Sequence, residues 1–283
     1  MEFCHIPPVP HLDLIKGRSA HLTLAHLIDD HPDRDKYIEF YRNEKLSQKE
    51  RVTIILDNSA FELYKAGLPM FDPDKLTSLA AEIRADYIVL PDHPGMPSMV
   101  GIDDARKYAP VFKENGFGTF FVPQSDIGDL EDLIVSFAWA ASSPLIDYIG
   151  VSILAVPNAY NVEKGNKLQR FLSRWKFMNE LKSRGLLDLA RRNGKKIHFL
   201  GMVDGPNEIA LCKDFYIDTW DSSAAIWTGV NGIAFDASPS GLINGKYEDH
   251  VDFQYETKDN ALIELARSNM EYIDELTLGV SYV

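Results

Sequence analysis

The chain has 283 residues, 45% of them hydrophobic and 11% aromatic, which is enough for a sizeable core and too apolar for a disordered chain. Its net charge of −13 argues against nucleic-acid binding by the surface as a whole, because phosphate contacts rest on Lys and Arg. Two cysteines, Cys4 and Cys212, supply neither a disulfide framework nor a cysteine-rich zinc site.

The opening "MEFCHIPPVP" lacks the basic start and apolar middle of a signal peptide, and no apolar run reaches the length of a membrane span. A cytoplasmic protein without a membrane partner is expected, in the host cytoplasm if the chain is viral. Short apolar, β-branched runs then alternate with amphipathic stretches. The expected strands are His21–Ile28, Val52–Leu56, Asp86–Pro91, Gly118–Pro123, Asp147–Ile153, Lys196–Met202, Phe215–Trp220 and Asn231–Asp236. "DPDKLTSLAAEIR", "IDDARKYAPVFKENG" and "LEDLIVSFAWAAS" read as helices, with Asp at their starts and Gly near their ends where caps belong. The stretch 154–193 is long for one crossover, so an elaborated loop is expected after the fifth strand. Eight apolar strands alternating with helices predict an α/β fold, a (β/α)8 TIM barrel spanning 1–283 as one catalytic domain. No repeat, low-complexity tract or Pro/Gly/Ser linker divides it.

In such a barrel a polar residue just after a strand points into a shared pocket. Asp57, Asp92, Gln124, Ser152 and Asp221 hold those positions. Any one of them alone reads as a helix cap or turn residue. Repetition favours a site, and two carboxylates flanking a sugar carbon can work as nucleophile and acid/base. No HxH at a strand end, HExxH or CxxC is present, so no metal is expected; without GxxxxGK[ST] or GxGxxG no nucleotide cofactor is expected, and GxSxG is absent too. His93 reads as a loop histidine or a proton carrier, and His198, inside a strand, as a satisfied interior histidine.

Basic residues crowd between Lys164 and Lys196, among them Lys164, Lys167, Arg170, Arg174 and Lys176. A solvated helix face and a phosphate-tracking surface are both open readings. Phe171 and Trp175, interleaved with Arg170 and Arg174, read either as stacking platforms for bases or as core.

The order of motifs resembles the tRNA-guanine transglycosylases, which exchange guanine in a polynucleotide for a 7-deazaguanine. Their DSGG[FY]Q strand end stands here as "DNSAFE", Asp57 to Glu62; Asp92 in "VLPDHPG" and Gln124 in "FVPQSD" follow. "YIGVS" with Gly150, "HFLGM" with Gly201 and "DTWDSSAA" with Asp221 complete the order over residues 52–225. The resemblance implies that Asp221 attacks the anomeric carbon and Asp57 handles the proton. It further implies that Phe61 stacks on the base, Asp92 and Gln124 bind its polar edge, and Gly150 and Gly201 permit close backbone approach.

Several family features are absent. Ser59 and Ala60 replace paired glycines, the Thr-Arg extension after the nucleophile is missing, and so is the zinc subdomain built on three Cys and one His. The zinc subdomain helps grip tRNA in that family. The chain is therefore closest in character to DNA-modifying 7-deazaguanine transglycosylases of bacteria and their viruses. DNA, with tRNA as the other acceptor, and a free 7-deazaguanine base are the expected partners. A tRNA-guanine transglycosylase, a hydrolytic base glycosylase, a barrel glycoside hydrolase and a non-catalytic nucleic-acid-binding barrel are the alternatives.

Overall fold

The computed structural model describes residues 1–47, 52–163, 165–202, 205–236 and 250–278. Eight parallel strands form one sheet: β1 (Glu2–His5), β2 (Ala20–Leu24), β3 (Thr53–Asp57), β4 (Tyr87–Val89), β5 (Gly118–Phe121), β6 (Tyr148–Ser152), β7 (Lys196–Leu200) and β8 (Thr219–Ser222). They run in the order β1-β8-β7-β6-β5-β4-β3-β2, with β1 and β2 side by side at the seam, so the sheet curls into a TIM barrel. The helices are α1 (Ala25–Asp29), α2 (Arg34–Ser47), α3 (Ala60–Ala66), α4 (Pro73–Ile83), α5 (Ser98–Glu114) and α6 (Leu130–Ser142), then α7 (Ala155–Ala159), α8 (Lys167–Ser183), α9 (Leu186–Arg192), α10 (Asn207–Cys212), α11 (Ala224–Val230) and α12 (Asn260–Leu278). Among the described residues no helix is long and apolar enough to cross a membrane.

The barrel matches the sequence expectation, with one exchange among its strands. The strand expected at Asn231–Asp236 is not one; only Phe235 makes an isolated bridge there. The missing strand is β1, which pairs in parallel with β8 from Glu2–Thr219 to His5–Ser222. The expected strand at His21–Ile28 ends at Leu24 and passes directly into α1. The long segment after β6 holds α7, α8 and α9.

Caps explain why several helices begin where they do. Asp72 accepts from the Asp74 amide at 2.9 Å ahead of α4, and Asp129 accepts from the Asp132 amide at 2.9 Å ahead of α6. An analogous carboxylate device closes the barrel floor. Asp86, Asp147 and Asp218 each stand just before an even-numbered strand. Each accepts at 2.8 Å from a backbone amide of the preceding strand, those of Ile54, Thr119 and Ile197 respectively. Strand registry at that end is thus held by side chains as well as by the ladder.

The last two helices close the wall. Asn269 of α12 is buried; its amide donates to the carbonyls of Ala225 and Ile233, and its oxygen accepts from the Phe235 amide. Gly229 lets α11 approach: a Cβ there would stand 2.3 Å from the Ala266 Cα and 2.6 Å from its amide nitrogen, both backbone atoms that cannot rotate away. Gly229→Ala should therefore lower stability by about 1–3 kcal/mol or more, read as a fall in the thermal midpoint. An unchanged midpoint would mean that α12 moves off α11 without cost.

Candidate active site

The strand C-termini surround a cavity of about 830 Å³, within the range that holds small ligands. Asp57, Glu62, Asp92 and Asp221 line it together with Phe61, His26, Lys65, Arg170 and Gly201. The carboxylates are spread around the wall; among the described residues no three His, Cys, Asp or Glu side chains converge as a metal-binding group.

Asp221 lies within β8 and is buried. Its Oδ1 sits 2.9 Å from His198 Nε2 and accepts from the Gly201 amide at 3.1 Å. A carboxylate can only accept there, so Nε2 carries the hydrogen, and the imidazole's Nδ1 is 2.6 Å from Thr219 Oγ1 on its other side. His198 is thus satisfied inside the barrel, and its satisfaction orients Asp221.

Asp57 ends β3, and its Oδ2 accepts from the Ser59 amide at 2.9 Å. Burial and the neighbouring carboxylates of Glu62, Asp92 and Asp221 push its carboxyl well above the usual range. Ser59 takes a left-handed conformation with φ 59°, which turns the chain sharply into α3. That turn carries Phe61 and Glu62 to the cavity wall. The Glu62 carboxyl is raised by burial to about 7, Asp221 adding to the shift, and its Oε2 has no hydrogen-bond partner. Burial raises Asp92 to about 6, although Asn58 and Gln124 donate to it at 2.9 and 3.1 Å.

These contacts separate the expected binding residues. Phe61 is on the wall with the Lys65 ammonium 5.0 Å over its ring. Gln124 is buried behind Asp92, bonded to it and away from the wall. Gly150 does not admit a ligand: a Cβ there would stand 2.6 Å from Phe120 and 2.9 Å from Leu200, so its missing side chain makes room for core packing. Gly201 does border the cavity, in a left-handed turn with φ 69°, and its carbonyl accepts from Trp220 and Arg174.

The basic island is not one surface. Arg174 is completely buried, donates to the carbonyls of Val151 and Gly201, pairs with buried Glu208 at 3.3 Å and lies 4.4 Å over the Phe199 ring. It cannot touch a polynucleotide, which corrects its assignment as a phosphate contact. Lys195 is buried against the carbonyls of Ser143 and Ile146, and Lys196 starts β7 at the opposite end of the barrel. Arg170 alone of the basic residues on α8 lines the cavity, while Lys176 is exposed and Lys167 half-buried. Lys164 lies outside the described residues.

Glu62, His26 and Lys65 are wall residues that the sequence reading did not single out. Glu62 occupies the last position of "DNSAFE", where charge rather than motif identity marks it. His26 follows β2 closely, as Asp57 closes β3; its Nδ1 is 2.9 Å from Ser59 Oγ, and burial lowers it to about 4, a neutral ring at pH 7.

No family model matches the sequence, and no curated protein matches it. A Coccidioides immitis protein named as a fructose-1,6-biphosphate aldolase superposes with a TM-score of 0.54 at 9% identity, over 99% of this chain and 91% of that one. RipC from Yersinia pestis gives 0.43 at 12% identity over 78% and 87% of the two chains. An enolase from environmental sequencing of the Sargasso Sea gives 0.44 at 9% over 78% and 52%. The first superposition supports the barrel fold and says nothing of its chemistry.

Two expectations follow from the buried charges. Arg174→Met leaves Glu208 buried beside an uncharged side chain and should cost about 3–5 kcal/mol, whereas Lys176→Met should leave the denaturation midpoint within about 0.5 kcal/mol. Equal midpoints for the two variants would contradict the buried pair. Glu62 titrates near 7 in the fold against an ordinary 4.5, so it binds a proton more tightly folded than unfolded. Its contribution is full below pH 4.5 and is lost as pH rises to about 7. Glu62→Gln should therefore stabilise the protein at pH 8 by up to about 3 kcal/mol and leave it unchanged at pH 4, by urea unfolding at both.

Proposed function

We propose that this chain is an enzyme, a glycosyl transferase that exchanges guanine in a polynucleotide, DNA in the first instance, for a free 7-deazaguanine base. The observation that carries the reading is the contrast between two carboxyls on one cavity. Asp221 has one oxygen fixed by His198 and the Gly201 amide, which aims the group. Asp57 is held in its proton-bearing form by burial and by neighbouring negative charge. Environments that separate two carboxyls in this way divide the work into nucleophile and acid.

In the first half-reaction an Asp221 oxygen forms a bond to the sugar C1′ as the C1′–N9 bond to guanine breaks. The electron pair stays on N9, which takes the proton of Asp57, and guanine leaves neutral. The sugar is now an ester of Asp221. In the second half, the ring N–H of the incoming base gives its proton to Asp57 while that nitrogen attacks C1′ and the ester bond breaks. Two inversions restore the original configuration. Phe61 offers an aromatic face to each base in turn, and Asp92 an acceptor for its N–H groups. Arg170 and Lys65 are cations positioned to meet backbone phosphate. The target base must leave its stack to enter, so a single-stranded, looped or locally opened segment is the reactive form.

Incubation with radiolabelled guanine or 7-cyano-7-deazaguanine and, separately, duplex DNA, single-stranded DNA and tRNA tests the reading. Label should enter DNA, and Asp221→Asn should reduce incorporation about a thousandfold or more. Label in tRNA alone would retain the chemistry and overturn the acceptor. Release of free base without incorporation would indicate a hydrolytic glycosylase, and no reaction by folded protein would overturn the assignment as an exchange enzyme.

A further inference from the structure

The mechanism above gives no task to Asn58, the buried residue that follows Asp57 at the end of β3. Its Nδ2 donates to the Leu90 carbonyl at 2.8 Å and to Asp92 Oδ1 at 2.9 Å, and its Oδ1 accepts from the Ala60 amide at 2.9 Å. Leu90 supplies an acceptor and Ala60 a donor, so one orientation of this amide satisfies both. The side that meets Asp92 is therefore the N–H side, and both of its hydrogens are used within the protein. Gln124, three residues beyond β5, donates from Nε2 to Asp92 Oδ2 at 3.1 Å, and that is the one hydrogen bond its side chain makes among the described residues. Each oxygen of Asp92 thus faces an amide hydrogen. The three residues stand after β3, β4 and β5, which are neighbours in the sheet, and Gln124 does not reach the cavity wall that Asp92 helps to form.

We propose that Asn58 and Gln124 are positioning residues that hold Asp92 as an acceptor of fixed direction for the N–H groups of the base, and that Gln124 acts on the base only through Asp92. The proposal rests on the exchange reaction for the identity of the base; the clamp on Asp92 does not depend on it.

A carboxylate offers about four lone-pair directions. The amides take two of them, which leaves the others for a ligand in the cavity. Bonds to a charged acceptor are stronger than bonds to a neutral one, so two donors favour the ionised form and oppose the burial that raises Asp92 to about 6. The other charged or titratable groups that act on it or feel it are Asp57 at the end of β3 and His93, the next residue, which meets Asp104 of α5 at 2.7 Å. At pH 8 the group is an acceptor and cannot donate. A side chain clamped at both oxygens also cannot turn to suit a ligand edge of the opposite polarity.

Two variants remove one donor each. Gln124→Met does so at nearly constant volume, and Asn58→Ser keeps an oxygen near the Ala60 amide while falling about one bond short of Asp92. In carboxyl ¹³C NMR titration of Asp-labelled protein, with Asp92→Ala identifying the signal, the Asp92 midpoint should rise by about one pH unit in each variant. Midpoints unmoved in both would overturn the clamp. With labelled guanine at pH 8, Gln124→Met should raise KM for the free base at least about tenfold and leave kcat within about threefold. A fall in kcat at unchanged KM is what a merely structural Gln124 would give, and it would overturn the positioning role. Combined with Asp92→Ala, Gln124→Met should lower kcat/KM for the base by less than about twofold further, because nothing is left to position. An undiminished effect would mean that Gln124 meets the base itself and would overturn its action through Asp92. If the parent protein exchanges no base, the functional reading fails, and the NMR midpoints still decide the clamp.

Discussion

A fully buried guanidinium organises one side of this barrel. Arg174 reaches inward from α8 to the carbonyls of Val151 and Gly201, at the C-terminal ends of β6 and β7, and stacks on Phe199 of β7 and Trp220 of β8. Glu208 of α10 balances its charge. An unpaired charge in this position would cost several kcal/mol, so all of these partners must assemble together. The consequence for the site passes through one peptide. Arg174 and the Trp220 indole both bind the Gly201 carbonyl, while the amide of the same residue binds Asp221. The rigidity of a buried ion pair is thereby transferred to the carboxylate that faces the cavity, at one remove.

The opposite wall is built on a different principle. Around Asp57 and Glu62 no buried ion pair of this kind is found among the described residues; Lys65 acts on Glu62 more weakly than burial does, and burial raises both carboxyls. The local turn enforces this. Ser59 holds a left-handed conformation that an L residue adopts at some cost, its amide binds Asp57, and its hydroxyl binds the His26 ring. One residue therefore connects two wall side chains, Asp57 and His26, while bringing Glu62 into their company. Strain and unfavourable charge concentrated in six residues are the pattern expected where a fold gives up stability for a site.

Much of this architecture could be read from the sequence because it is periodic and local. The helices α4 and α6 carried their own Asp caps, and the apolar strands ended in the polar residues that line the mouth. What escaped was non-local. The strand β1 is only four residues long, and its membership in the sheet depends on pairing with β8, more than 200 residues away. Phe235 sits in an apolar run of the right composition, but Asn269 satisfies its amide where a strand would have needed a ladder. The same limit explains the basic island. Clustering in sequence does not fix direction, and successive turns of α8 send Arg170 to the cavity and Arg174 into the interior. Gly150 was misread because a glycine admitting a ligand and a glycine admitting Phe120 look alike until the neighbours are known.

Net charge is the sequence property hardest to reconcile with the polynucleotide partner we propose, and the cavity offers a way in which the two could coexist. Formal charge counts every carboxyl as ionised, yet Asp57, Glu62 and Asp92 are each raised by burial, and Glu62 to about 7. A mouth that retains protons presents less negative charge than its composition implies. Electrostatic attraction need then operate only locally, through cations such as Arg170 and Lys65 on the cavity wall, while the acidic exterior limits indiscriminate binding along a polyanion. The same retained protons are what the leaving base of the proposed exchange would require. Burial of carboxyls among carboxyls would on this view serve approach and chemistry together, which accounts for a site placed where formal charge alone would forbid it.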